Sequence, residues 1–209
     1  MATITQTKET QAAISPATAL QMLKDGNQRF LDKEPENRDL HAQVQGTTTG
    51  QFPYAVVLGC IDSRVPIETI FDQGIGDVFT ARVAGNFVNA DILGSIEYGC
   101  KVAGSKLVVV LGHTSCGAVK GACDDVKLGN VTSLIEKLKP SVAAVETPEG
   151  TDRSSGNKDF VNQVVYKNVE LTIKNIYRQS PVLAEMAEDG DIDIVGAVYD
   201  ITTGKIDFL

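Results

Sequence analysis

Two short stretches carry the residues best suited to chemistry. The first, VVLGCIDSR from Val56 to Arg64, is an apolar run that ends in a glycine and then presents Cys60, Asp62 and Arg64. The second, VVVLGHTSCG from Val108 to Gly117, ends alike and presents His113 and, three residues on, Cys116. Two thiolates and one imidazole match the sulfur and nitrogen donors that zinc takes in a tetrahedron. Structural zinc sites are usually closed by four protein ligands, whereas catalytic sites leave one position for water or substrate. Asp62 is the nearby candidate for a fourth ligand, and the forked guanidinium of Arg64 is placed to hold its carboxylate in a bidentate ion pair. If Arg64 holds Asp62 back, water takes the fourth position; if Asp62 swings in, the site is shut. The sequence leaves both states open.

Each of these residues also has a plainer reading. A lone cysteine on an apolar strand is usually core, and an aspartate beside an arginine is usually a surface or capping pair. What favours a metal is convergence, since Cys60, His113 and Cys116 all follow matching strand ends. Cys100 falls on the apolar stripe of a helix and reads as core. Cys123, seven residues past Cys116 in CGAVKGAC, reads as structural because that segment already supplies two ligands. His41, the only other histidine, lies in a polar stretch and reads as solvated. Other chemistries lack their parts. A tyrosine-phosphatase loop needs an arginine six residues after its cysteine, where this chain has Pro66. GIG (Gly74 to Gly76) precedes a strand and so lacks the context of a dinucleotide fingerprint. There is no phosphate-binding Walker sequence, and a serine hydrolase would need a histidine outside the cluster.

Positioning such a cluster is the work of the flanking elements. YAVVLG (Tyr54 to Gly59), DVFTARV (Asp77 to Val83) and KLVVVLG (Lys106 to Gly112) are short, apolar and β-branched, as expected for strands covered on both faces. NADILGSIEYGCKVAG (Asn89 to Gly104) carries a helical stripe at Ile92, Leu93, Ile96 and Cys100 and stops at glycine. Further helices are expected over about 131–145 and 159–179, and TTG between two β-type runs near the end of the chain suggests a hairpin. Strands alternating with helices predict an α/β fold with a mainly parallel central sheet flanked by helices. In such sheets ligands bind beyond the carboxyl ends of the strands, where Cys60 and His113 emerge. Ser15 to Leu31 reads as a capped amphipathic helix, followed by a polar linker over 32–52. The expected organisation is an N-terminal helical arm and linker, 1–52, and an α/β catalytic domain, 53–209. An arm set apart by a linker must pack its apolar face on the body or on a neighbouring subunit, and the subunit is the expected place.

The 209 residues carry a formal charge of -8, which argues against nucleic-acid and anionic-membrane surfaces. Small molecules and other copies of the chain are the expected partners. No stretch approaches the ~18 apolar residues of a membrane span, and the N-terminus has neither the basic start nor the apolar core of a signal peptide, so a cytoplasmic protein is expected. Four cysteines in that setting are more often ligands, nucleophiles or core residues than disulfides.

CIDSR (Cys60 to Arg64), RVAGN (Arg82 to Asn86), GSIEYG (Gly94 to Gly99) and GHTSCGAVKG (Gly112 to Gly121), in that order, resemble the β-class carbonic anhydrases. The resemblance covers about Ala17 to Lys127 well and the rest loosely. It implies one zinc ion per subunit on Cys60, His113 and Cys116, an Asp62–Arg64 dyad that orients zinc-bound hydroxide, and reversible hydration of carbon dioxide to bicarbonate and a proton. It also implies homodimers or homotetramers with the arm wrapped on a partner. Plant-like members place a substrate-assisting glutamine before a Pro-Gly pair; in FDQGIGDVF Gly74 takes that place and Gln73 stands one residue earlier. Three alternatives stand beside this reading: a carbon disulfide or carbonyl sulfide hydrolase with the same ligands, a non-catalytic zinc-binding protein closed by Asp62, and a thiol redox protein using Cys60 and Cys116.

Overall fold

β-Branched apolar runs and amphipathic helices alternate along the chain and assemble into a single five-stranded sheet with helices on both faces. The computed structural model describes residues 5–209. In chain order the elements are α1 (Lys8–Ala12), α2 (Pro16–Asp32), α3 (Leu40–Gly46), β1 (Ala55–Gly59), α4 (Ile67–Ile70), β2 (Val78–Arg82), α5 (Ala90–Glu97) with a π-helical turn (Tyr98–Val102), β3 (Leu107–His113), α6 (Gly117–Cys123), α7 (Gly129–Glu136), α8 (Lys139–Ala143), α9 (Lys158–Gln179), α10 (Pro181–Glu188), β4 (Asp193–Tyr199) and β5 (Ile206–Phe208).

The strand order is β2-β1-β3-β4-β5, parallel except for β5, which closes the expected hairpin against β4. From β1 the chain moves outward to β2 and then returns to the other side of β1 to form β3. That reversal opens a crevice at the carboxyl ends of β1 and β3, the place where open α/β sheets bind ligands. Residues alternate along each strand between two cores. Val56, Leu58, Val108 and Val110 face α5 and α9, packing with Ile96, Val164, Val165 and Val169. Ala55, Val57, Leu107, Val109 and Leu111 face α2 and α4, packing with Ala19, Leu23, Ile67 and Ile70. Gly112 lets α9 approach β3 closely: a Cβ there would lie 2.8 Å from Val169 Cγ2.

Several expectations need correction. β2 is an edge strand and is only partly buried, so its apolar run is not covered on both faces as β1 and β3 are. The stretch over 32–52 is not all linker, because Asp39 caps α3 through a bond from the Ala42 N–H. The helix expected over 131–145 is two helices, α7 and α8. Pro140 has no N–H to give to the carbonyl one turn back, which is where the run breaks. α10 was not anticipated. Part of the arm's apolar face packs within the chain itself. Leu23 and Ala19 of α2 are sealed against the chain's own sheet, and Asn27 bridges the Ile70 and Gly204 carbonyls and the Ile206 N–H. Gln11 of α1 likewise donates to the carbonyls of Pro53 and Ala103, both at 2.8 Å.

Candidate metal centre

β1 and β3 are adjacent and in register, Leu58 opposite Val110, so the residues that follow both strands emerge side by side. Cys60 follows the last residue of β1 and His113 is the last residue of β3. Ser115 then turns the chain with φ of 58°, which places Cys116 at the N-cap of α6. The donor atoms of Cys60, His113 and Cys116 all lie within 4.8 Å of one another, and all three residues are buried. The two sulfurs are 4.0 Å apart. A tetrahedron with Zn–S bonds of about 2.3 Å has an edge of about 3.8 Å, so the spacing suits that ion.

Two further observations test whether these donors fit a metal. His113 is fully buried, and its Nδ1 lies 3.0 Å from the Thr114 carbonyl, an acceptor that fixes the proton on Nδ1. Its Nε2 then offers a lone pair and has no hydrogen-bond partner. An unsatisfied imidazole nitrogen in a dry site is costly unless something accepts that lone pair. The two thiols are coupled. Cys60 is driven well below its usual value, first by the hydrogen bond from Cys116 and then, against burial, by the Gly85 N–H. The same hydrogen bond, burial and the neighbouring negative sulfur drive Cys116 up. Both can be thiolates together only with a cation between them, and the set therefore fits zinc.

The Asp62 carboxylate stands at the rim. Arg64 grips it with two bonds, Nε to Oδ1 at 2.9 Å and Nη2 to Oδ2 at 2.7 Å, while its own backbone N–H reaches Oδ1 at 3.0 Å. These bonds hold the Asp62 carboxyl well below the usual carboxylate range. Oδ2 lies 3.9 Å from His113 Nε2, so the same oxygen that Arg64 holds also faces the donor cluster. Arg82, on β2, closes the structure from behind, donating to the carbonyls of Cys60 and Asp62, both at 2.8 Å. Sequence reading gave Arg82 no role. It stood within RVAGN, and only the pairing of β2 with β1 shows why it is there.

The remaining candidates lie elsewhere. Cys100 is buried core, its thiol pushed up to about 12 by burial. Cys123 is half-buried and pushed up to about 11, by burial and then by Asp124. Neither belongs to the donor cluster. His41 is exposed on α3. Gln73 is engaged at both ends of its amide, accepting from Tyr54 and donating to the Phe71 carbonyl, each at 2.6 Å.

The chain matches the family model described as carbonic anhydrase over residues 55–206. It is 36% identical to carbonic anhydrase 2 of Mycobacterium tuberculosis over 197 residues, 91% of each chain. It is also 36% identical to the carbonic anhydrase of Mycolicibacterium smegmatis, over 92% of this chain and 93% of the relative. Among solved structures it resembles one of the tetrameric β-carbonic anhydrases of Sordaria macrospora, with a TM-score of 0.69 and 28% identity over 79% of this chain and 85% of the other. The fold and its crevice define a parallel α/β protein with a three-donor sulfur and nitrogen site. The chain belongs to the β-carbonic anhydrase family and is an enzyme of that class.

Proposed function

We propose that the chain binds one zinc ion through Cys60, His113 and Cys116 and catalyses the reversible hydration of carbon dioxide to bicarbonate and a proton. The observation that carries this reading is the unpartnered Nε2 of His113, which converges with two coupled sulfurs beside a carboxylate already claimed by Arg64. When bound, zinc supplies a water made acidic, with a pKa near 7, and so a nucleophile at neutral pH.

The chain's own groups do the rest. Asp62, kept ionised by Arg64, can only accept hydrogen bonds. With the metal bound, it would accept a hydrogen bond from the nucleophile and so orient it toward the carbon of the substrate. Arg64, holding the carboxylate by two bonds, would keep it from joining Cys60, His113 and Cys116 as a ligand. Arg82 fixes the backbone of the turn, and the buried sulfurs keep the centre out of bulk water. Residues 53–209 hold every one of these groups, with 1–52 as the arm.

A homodimer or homotetramer belongs to the same proposal. It is supported by the Sordaria relative, which is described as tetrameric, and by exposed Leu40 and Ile75 beside a hollow of 860 Å³ that Phe30 also lines. A cytoplasmic setting is supported by four unpaired cysteines. Among the described residues no helix is long and apolar enough to cross a membrane.

The experiment is stopped-flow carbon dioxide hydration by zinc-quantified protein across a neutral to alkaline range. Fast turnover throughout is expected. Activity that switches on only in alkali would mean that Asp62 closes the site at lower pH. No turnover at full zinc occupancy, with carbon disulfide or carbonyl sulfide consumed instead, would contradict the assignment of substrate.

A further inference from the structure

We propose that Asn168, in the middle of α9, is a positioning residue of the metal centre, acting through the backbone of Gly85 on the sulfur of Cys60. The inference rests on the metal reading of Cys60, His113 and Cys116.

Asn168 lies on the buried face of α9, which is mostly apolar. Its neighbours Val164, Val165 and Val169 are buried in the core over β3, and Asn168 itself is 3% exposed. A primary amide in such a place costs free energy unless both of its ends are bonded. Both are. The Oδ1 accepts from the Ser141 hydroxyl on α8 at 3.1 Å, and the Nδ2 donates to the Gly85 carbonyl at 2.8 Å. Ser141 is equally buried. The Gly85 carbonyl, which can only accept, sets which way the amide points, and the Ser141 hydroxyl fills the other end.

Glycine suits position 85. Its φ is 83°, in the left-handed region, and a Cβ would lie 2.7 Å from Leu138 Cδ1. The short loop that it belongs to is tied to β1 by the Val83 N–H on the Gly59 carbonyl at 3.1 Å and closed on itself by the Asn86 N–H on the Val83 carbonyl at 3.0 Å. Held at those points and by Asn168, the loop aims the Gly85 N–H at Cys60 Sγ, 3.4 Å away. A donor at that distance favours the charged form of the sulfur. Outer groups that orient a metal ligand commonly set its affinity by 10- to 100-fold. The path thus runs from Ser141 through Asn168 and Gly85 to Cys60, with no residue in it but the last touching the metal position.

The test measures metal binding directly, in Asn168→Ala and Ser141→Ala, by zinc competition with a chromophoric chelator and by the electronic spectrum of the cobalt(II)-loaded proteins, with chemical denaturation in parallel. Asn168→Ala is expected to bind zinc about 10- to 100-fold more weakly. Its thiolate-to-cobalt charge-transfer band should move to lower energy, because the sulfur loses a donor that stabilises its charge. Ser141→Ala, which leaves the amide oxygen without its donor and so loosens the amide, should move both readouts in the same direction by less than tenfold. If both variants lose stability but keep wild-type affinity and the wild-type cobalt band, Asn168 is a core residue only and the inference is overturned. Should Asn168→Ala not fold, Ser141→Ala decides on the same two readouts. A wild-type chain that takes up no zinc would overturn the metal reading itself, a separate failure visible before any variant is made.

Discussion

The molecule contains two Asp–Arg clusters built from the same chemistry. Asp72 sits under the arm, bonded to Arg29 and Arg38 through both carboxylate oxygens, and it also accepts from the Glu36 N–H at 3.2 Å. It is 6% exposed and tied to two arginines. Asp62 has a single arginine, is 16% exposed, and keeps Oδ2 within 3.9 Å of a histidine nitrogen that has no partner among the described residues. A buried carboxylate that bridges two guanidiniums is a fastener. One held by a single guanidinium at the edge of a donor cluster turns an oxygen toward the place where a reacting molecule would sit. Residue types and the number of bonds accepted do not distinguish these roles; burial and location do.

The sharpest way to break the contrast is to remove what Asp62 faces. Cys60→Ser should lose zinc, with affinity falling by more than the ~100-fold upper range seen for outer-shell changes, and carbon dioxide hydration should vanish with it. Metal analysis after dialysis checks this, and stoichiometric zinc in the variant would remove Cys60 from the ligand set. Next in size are the changes at the rim. Asp62→Asn and Arg64→Ala should keep zinc yet lower kcat by about 10²- to 10³-fold, the scale of a lost positioned acceptor or proton acceptor in a transition state. An Arg64→Ala enzyme of full activity would sink the idea of a held carboxylate.

At the other cluster the same kind of change should act on stability and leave the chemistry alone. Burial opposes the charge of Asp72, but the bonds from Arg29 and Arg38 outweigh it and hold the carboxyl below its usual value. Its stabilising contribution is therefore complete above the unfolded pKa, near 3.9, and is lost as pH falls through the folded value. Asp72→Asn should cost about 2–4 kcal/mol near neutral pH in urea unfolding, with a weaker loss of stability in acid than wild type shows. Hydration per folded molecule should be unchanged. The smallest effect is expected at Glu36, which pairs with Arg29 and Arg38 but is half exposed. Glu36→Ala should cost no more than about 1 kcal/mol.

Much of the donor cluster was legible because its signals are local. The runs that become β1 and β3 are continuous, their ends coincide with the reactive residues, and His113 and Cys116 are three apart. Asp62 and Arg64 lie two apart in one turn, so their pairing also needed no knowledge of the fold. What escaped depends on contacts distant in sequence. Asn168 and Gly85 are 83 residues apart, and Arg29 and Asp72 are 43 apart. β2 read as a fully covered strand beside β1, although Thr80 and Arg82 break its apolar run, and sheet order places it at an edge. The arm's apolar stripe showed that α2 must bury a face, but a stripe carries no address, and the chain's own sheet receives part of it. The division of the 131–145 segment was available in principle from Pro140.

The account turns on whether Asp62 stays with Arg64 when the metal is present. A crystal structure of the zinc-loaded protein near pH 7 tests this most directly. The predicted result is three protein ligands, Cys60, His113 and Cys116, with a solvent oxygen in the fourth position and the Asp62 carboxylate still paired to Arg64. An Asp62 oxygen bound to zinc, with Arg64 released, would contradict it.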